Sequence, residues 1–344
     1  YQYLQDKVRY ISVQIGIGGW KPMLASDVDK LGYGDCKALT NYTKVLLDAV
    51  GVPSYYTILY AGNSERDIIN DFSSMQGNHA ILGVPEGDDI IWLECTEQDK
   101  PFGYLGNFTD DRDVLIVTEE GGEIVHTKVY SDAENLQEYR ASVQLNSEGG
   151  IIGFLEGTYE GLQYDGKYTW DKRTDEEKRT AYKERWDYIN GLMIEGINLN
   201  DNKTDIIFTE KLNIKASNYA TKIGDDLLLC ANVFNQSQYI PSRISNRKQE
   251  LFIGEGYKDV DHLDIIFPEG YRVESLPEDT TVESKFGSYS ISFKELADNK
   301  IEYKRNLMIR KGTYPPEDYA AYRSFRKKIA KLDKSKVLLK VKTN

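Results

Sequence analysis

The stretch 35–51, Asp-Cys-Lys-Ala-Leu-Thr-Asn-Tyr-Thr-Lys-Val-Leu-Leu-Asp-Ala-Val-Gly, constrains the chain more than any other. Ala38, Leu39, Tyr42, Val45, Leu46, Ala49 and Val50 recur at the spacing of one helical face, and Gly51 followed by Pro53 ends the run. The pattern predicts a buried helix. Asp35 is a good N-cap, which puts Cys36 at the first helical position. Unpaired N–H groups and the partial positive charge of a helix N-terminus favour a thiolate there. Gly32 and Gly34 let the backbone turn sharply just before the sulfur and leave it uncovered. Two readings of Cys36 stand at this point: a nucleophile, or a small buried hydrophobe, since free cysteine is among the most buried residue types.

At 344 residues the chain exceeds the size at which one core keeps growing, so two domains are expected. Forty-three basic against 55 acidic residues give a net charge of −12, which argues against nucleic acid or an anionic membrane surface as partner. No apolar run approaches the roughly 18 residues of a membrane span, so no transmembrane segment is expected. The chain opens on Tyr1, already inside a predicted helix with Leu4, Val8 and Ile11 at helical spacing. It reads as a fragment, with any signal peptide upstream. Cysteines at 36, 95 and 230 and histidines at 79, 126 and 262 are too few and too scattered for a zinc site built on local spacing. Neither a structural metal nor a cofactor is predicted, and the odd cysteine count fits no disulfide framework.

Taken in order, 10–15 alternates like a short strand and 16–22 is a Gly-rich surface turn carrying Trp20. It lacks the lysine and Ser/Thr of a phosphate loop. A short helix over 26–31 leads to Cys36. Beyond the long helix, 54–60 is a strand by its aromatic and β-branched content. A polar surface loop over 61–77, with a helical turn around Ile68, comes next. Residues 79–84 and 89–95 then form a hairpin about Pro85-Glu86-Gly87-Asp88. If Val84 pairs with Asp89 across that loop, His79 falls directly opposite Glu94, where side chains share a face with Cβ atoms roughly 4.5–5.5 Å apart. A register shift of two would leave them diagonal on the same face, and a shift of one would separate them. Alternation sends Cys95 to the other face, into the core. Strands over 113–117 and 123–129 close this unit, with His126 an ordinary strand histidine.

From about Ser131 the character changes to β-rich. The segments 139–145 and 151–159 read as a hairpin about Asn146–Gly150, and 205–214 and 225–234 alternate similarly. Thr174 and Glu177 form a capping-box pattern. It opens a helix whose apolar stripe would be Tyr182, Trp186, Ile189 and Met193. Short strands over 263–267, 271–273, 288–293 and 301–303 suggest a sandwich-like module, with His262 at the start of one and no evident partner. A C-terminal helix from Pro316 has Tyr319, Tyr322, Phe325, Ile329 and Leu332 on one side. Arg323, Arg326, Lys327, Lys328 and Lys331 read as its solvated face.

A cysteine at a helix start, a histidine opening a strand and a carboxylate one strand later are an order that nucleophilic chemistry can use. Cys36 would attack a carbonyl, His79 would move the proton, and Glu94 would fix the imidazole tautomer. Gly34-Asp35-Cys36-Lys37, Asn78-His79 and Trp92-Leu93-Glu94-Cys95-Thr96 resemble the three blocks of the transglutaminase-like superfamily of papain-fold cysteine enzymes, over roughly residues 1–130. That family usually carries aspartate where Glu94 stands, and the extra methylene shifts the carboxylate by roughly 1.5 Å, a bond length. Pro101–Gly106 and the β-rich remainder look similar to bacterial cell-envelope members, which implies export to the periplasm or cell surface.

The expected fold is therefore α+β. A papain/transglutaminase-like catalytic core over 1–130 would be followed by a sandwich-like, β-rich accessory region over 131–344, with a mid helix, a C-terminal helix and a further division near 250 left open. The expected function is a thiol-dependent peptidase or amidase acting on a peptide or protein substrate through a thioester. The alternative is a weak or inactive transglutaminase-like binding or assembly protein of the cell envelope. Candidate oxyanion donors are the Cys36 N–H with either Trp20 or Gln14.

Overall fold

The computed structural model describes residues 1–62, 66–297 and 299–342. About 39% of the chain is strand and 20% helix, so it is mostly β with several separate sheets. This corrects the expectation of an α+β papain-like core. Such a core needs several helices to build one layer, and among the described residues only one helix of the N-terminal part exceeds two turns. Contacts divide the chain into two compact units, Tyr1–Tyr130 with Lys203–Ile206, and Ser131–Asn202 with Ile207–Asn344.

The first unit runs α1 (Gln2–Lys7), β1 (Arg9–Tyr10), α2 (Ala25–Leu31), β2 (Tyr33–Gly34), α3 (Cys36–Ala49), β3 (Tyr55–Leu59), β4 (His79–Glu86), β5 (Asp89–Leu93), β6 (Asp113–Val117) and β7 (Gly122–His126). The last five strands form one sheet in the order β5-β4-β3-β6-β7, with every neighbouring pair antiparallel. Its β4–β5 end is covered on both faces, which is why those two strands read as near-continuous apolar runs. Leu82 and Leu93 pack with Ala38, Leu39 and Tyr42 of α3, together with Leu4, Val8, Val28 and Cys95. Ile81 and Trp92 pack with Leu59, Leu105, Val114 and Ile116 on the other side. The strand expected over 10–15 stops at Tyr10. Arg9 and Tyr10 pair in parallel with Tyr33 and Gly34, but beyond them no neighbouring strand takes up the backbone, and Ile15 is 90% exposed. Around Ile68 the described chain is irregular instead of helical; Ile68 is buried and its N–H donates to the Asp113 carbonyl.

In the second unit an eight-stranded sheet has the spatial order Leu192–Asn202, Ile207–Ala216, Ile151–Tyr159, Leu136–Leu145, Tyr257–Ile266, Lys300–Ile309, Gly287–Leu296, Thr280–Ser284. Its middle joint is parallel, Leu136–Gln144 against Lys258–Ile266. A four-stranded sheet adds Thr221–Ile223, Asp226–Cys230, Lys336–Val341 and Tyr271–Ser275. Most of the strands expected over 263–303 are thus longer than their apolar cores suggested, that over 151–159 is as expected, and that over 225–234 ends at Cys230. Alternation continues through polar residues once a partner strand supplies hydrogen bonds.

The helix Asp175–Arg185 opens with the reciprocal capping box of Thr174 and Glu177. Tyr182, Trp186 and Ile189 are buried, but the helix ends at Arg185, and Met193 lies in a strand and is 57% exposed. On the C-terminal helix Tyr319–Leu332, Arg326 belongs to the buried side: it donates to the Tyr257 hydroxyl and stacks over Tyr239.

Candidate functional site

Asp35 caps α3, its carboxylate accepting from the Ala38 N–H at 3.0 Å, and Cys36 occupies the first helical position. The two preceding glycines do different work. Gly32 ends α2 in the left-handed region at φ +70, whereas Gly34 is required by packing, since a Cβ there would lie 2.8 Å from Ala38 Cβ. Lys37 folds back onto Asp35.

His79 is the first residue of β4, opposite Leu59 of β3. Asn78 fixes the chain just ahead of it, accepting from the Ala61 N–H at 2.7 Å and donating to the Ala61 carbonyl at 3.1 Å. The hairpin differs in one respect from the expected one: Pro85 and Glu86 stay in the strand, and the connection shrinks to Gly87-Asp88, with Gly87 at φ +62. Pro85 can stay because β3 no longer pairs with β4 beyond Gly83, which leaves that side of the ladder free of a bond to lose. The register therefore moves by two residues, and Glu94 lies diagonal to His79 on the same face instead of directly across. A diagonal neighbour is farther away, roughly 7–8 Å between Cα atoms, and within reach only of a long side chain.

Glu94 has that reach. His79 Nε2 lies 3.1 Å from both of its carboxylate oxygens, with the two side chains 10% and 2% exposed. Thr96 holds the carboxylate from the other side, donating its N–H at 3.2 Å and its hydroxyl at 2.6 Å to Oε1. The Tyr1 hydroxyl donates to the Glu94 carbonyl at 2.7 Å. On its other flank Cys36 is near enough to raise the pKa of the ring, and the Phe108 ring meets it edge-on with centroids 5.7 Å apart. The structure thus pairs His79 with Glu94 and puts Cys36 on the same cleft as His79.

Electrostatics follow from this arrangement. Burial by itself would lower the His79 pKa, but the Glu94 carboxylate and the neighbouring Cys36 outweigh it and raise the ring to about 10. Burial pushes Glu94 the other way, toward the neutral acid; the His79 charge and the bonds from His79 and Thr96 prevail and hold it below the usual carboxylate range. Tyr56 on β3 is pushed up by burial and by the neighbouring Cys36 and Asp35, so its phenol stays protonated. Cys95 sits in the core, where burial raises its thiol to about 12.

Cys36 and His79 line an open cleft of about 1120 Å³ together with Trp20, Gln14, Tyr56 and the loop 68–78. Both sequence-level candidates for a second oxyanion donor, Trp20 and Gln14, thus face the same space as the sulfur. Several contributors were missed by sequence reasoning: Tyr56, Phe108 and Thr96 approach the site only through strand pairing and loop closure. Thr96 alone carried a local signal, standing two residues beyond Glu94 in the third motif block.

The other histidines do have acidic partners. His126 Nδ1 lies 2.7 Å from Asp113 and Nε2 2.8 Å from Asp111, on an exposed edge strand. His262, in the middle of its strand, lies 3.1 Å from Glu302 on the adjacent one. Among the described residues no group of three or more His, Cys, Asp or Glu side chains is arranged to hold a metal ion. No helix among them is long and apolar enough to cross a membrane.

Comparison with known proteins gives two matches. Residues 225–339, about a third of the chain and all within the second unit, match the model of a domain of unknown function with a solved structure, DUF3858. A crystal structure from Parabacteroides distasonis, described as a "putative protease", aligns over 98% of this chain at 13% identity with a TM-score of 0.48. The chain spans about half the length of that protein. No curated protein matches the chain.

Proposed function

We propose that the protein is a thiol-dependent amide-bond hydrolase, a peptidase or amidase, with Cys36 as nucleophile, His79 as general base and acid, and Glu94 as the residue that orients His79. The observation that carries this reading is the His79 ring, paired with a buried carboxylate and lining the same cleft as Cys36. With its pKa raised to about 10, the ring carries the proton at neutral pH. The Cys36 sulfur would attack the substrate carbonyl. His79 would then give its proton to the leaving amine as the C–N bond breaks, leaving a thioester. Water attacks that thioester while His79 takes a proton, and the acid product and free sulfur return. Glu94 stays ionised throughout and steadies the imidazolium.

The order and sequence context of the three residues support membership in the transglutaminase-like cysteine enzymes, and the likeness rests on those blocks, not on a papain-like architecture. In this reading residues 1–130 carry the chemistry and 131–344 form an accessory region. By the same resemblance the protein would be exported to the periplasm or the cell surface, which fractionation of the native cells would check. Complete pairing of Glu94 favours a working site over a relic: a decayed triad has no reason to keep a buried carboxylate compensated on both sides.

The test is covalent labelling at pH 7.5, followed by peptide mapping. Iodoacetamide should modify Cys36 well ahead of Cys95 and Cys230, and His79→Ala should slow Cys36 at least tenfold. Equal reactivity in wild type and variant would remove His79 from the chemistry. Turnover retained by Cys36→Ala on an amide substrate of the wild type would remove the nucleophile.

A further inference from the structure

The cleft is asymmetric in charge and in polarity, and both asymmetries bear on what it accepts. Lys37, Asn41 and Lys44 are spaced i, i+4, i+7 on α3 and all line the cleft, so one flank of the helix forms a wall starting at Cys36. At 1.5 Å rise per residue that wall is roughly 12 Å long from Cys36 to Lys44. The floor is a row of residues paired across four strands: Ala80 on β4, Ile58 on β3, Leu115 on β6 and Ile124 on β7. Thr40 of α3 donates to the Ala80 carbonyl at 3.0 Å, so the row starts against the helix and runs outward from it. Three strand spacings of about 4.8 Å give a floor roughly 14 Å across. Single small molecules fill pockets of roughly 300–1,000 Å³; this cleft is larger and elongated, and suits several residues of an extended chain.

Every charged side chain lining the cleft among the described residues is cationic: Lys37, Lys44 and His79, in a chain whose net charge is −12. Lys37 is occupied by Asp35, which is buried. Among the described residues Lys44 is held by Asp48, at 3.0 and 3.2 Å on the helix surface. An exposed i,i+4 pair of that kind is worth well under 1 kcal/mol, so a substrate carboxylate can displace Asp48 at little cost. A substrate ammonium would meet lysines and a charged imidazole, whose carboxylate partners Asp35, Asp48 and Glu94 all lie outside the cleft lining.

We propose that the cleft takes an extended acidic peptide, with apolar side chains on the Ile58–Leu115–Ile124 floor and a Glu or Asp carboxylate paired with Lys44. The inference rests on Cys36 being the reactive thiol. It is tested with three peptidyl acyloxymethyl ketones of equal length, identical except for Glu, Gln or Lys at one position next to the residue that bears the reactive ketone. The sulfur forms a C–S bond to the methylene and the carboxylate leaves, so intact mass reads the rate directly.

The Glu probe should label Cys36 about fivefold faster than the Lys probe at low ionic strength, with Gln between them and the spread shrinking as salt rises. Lys44→Glu should abolish or invert that order, Lys44→Gln should flatten it, and Lys30→Glu, an exposed reversal on α2, should preserve it. Labelling of Cys36 by all three probes at one rate, or fastest by the Lys probe, would overturn the acidic-substrate inference while leaving the nucleophile standing. Failure of every probe to label Cys36 would overturn the nucleophile, and the inference with it.

Discussion

Replacing Glu94 by Gln removes one charge and little volume, and the structure says what should follow. The carboxylate touches His79 Nε2 with both oxygens at 3.1 Å inside a site where Glu94 is 2% exposed, so little water screens the pair. It is the leading influence holding the His79 proton against burial, which alone would pull the pKa down. Between the ordinary 6.5 and the raised value of about 10, at ~1.36 kcal/mol per pH unit, lies about 5 kcal/mol in favour of the charged ring. Most of that should vanish in Glu94→Gln, and the ring should titrate at or below the ordinary histidine range.

With only three histidines in the chain, His79 can be followed in ¹³C-histidine spectra and assigned by single substitutions. The raised pKa also carries a stability signature. A base whose folded pKa lies above its unfolded one stabilises fully below the unfolded value, near 6.5, and loses that contribution as pH rises through about 10. The stability gap between wild type and Glu94→Gln, measured by urea denaturation, should therefore be widest just below pH 6.5 and close toward pH 10. A wild-type His79 that titrates near 6.5, or a Glu94→Gln variant whose His79 titrates as in wild type, would refute the reasoning.

Other substitutions separate the parts of the site. Glu94→Asp should lower the iodoacetamide rate of Cys36 at neutral pH, because the diagonal placement relative to His79 needs the longer side chain; an unchanged or faster rate would count against Glu94 as orienter. Gly34→Ala sets a Cβ 2.8 Å from Ala38 Cβ and 3.2 Å from Leu39 Cδ2, so the start of α3 must shift. We expect a loss of about 1–3 kcal/mol by denaturant unfolding and slower Cys36 labelling, and unaltered labelling would show that the helix start tolerates displacement. Arg112, fully buried, donates to the carbonyls of Asp110 and Tyr60 at 2.6 Å and of Gly62 and Asn107 at 3.2 Å, tying together the loops beside Phe108. Arg112→Met should cost about 3 kcal/mol or more by leaving buried carbonyls unpaired, and a stability within 1 kcal/mol of wild type would contradict that account.

What the sequence determined by itself is local. Asp35 as cap and Cys36 as first helical residue, the reciprocal pair Thr174 and Glu177, and the alternation of 151–159 all depend on neighbours within a few positions, and each is present in the structure. The order Cys36, His79, Glu94 was legible for the same reason: each residue sits at the end or start of an element whose pattern is short-range.

Tertiary structure decided everything that depends on which strand lies beside which. It kept Pro85 and Glu86 in β4 and so moved Glu94 from across His79 to its diagonal. It supplied Asp111 and Asp113 to His126 and Glu302 to His262, partners that local spacing does not reveal. It buried Arg326, which reads as solvated on a helical wheel, because Tyr257 and Tyr239 come from distant segments to receive it. It also made the molecule mostly β, since a single helix longer than two turns in the first unit covers one face of a five-stranded sheet without building a helical layer. Hydrophobic periodicity reports how each segment meets a surface; which surface it meets is settled only when the remote segments that compete for it have closed the chain.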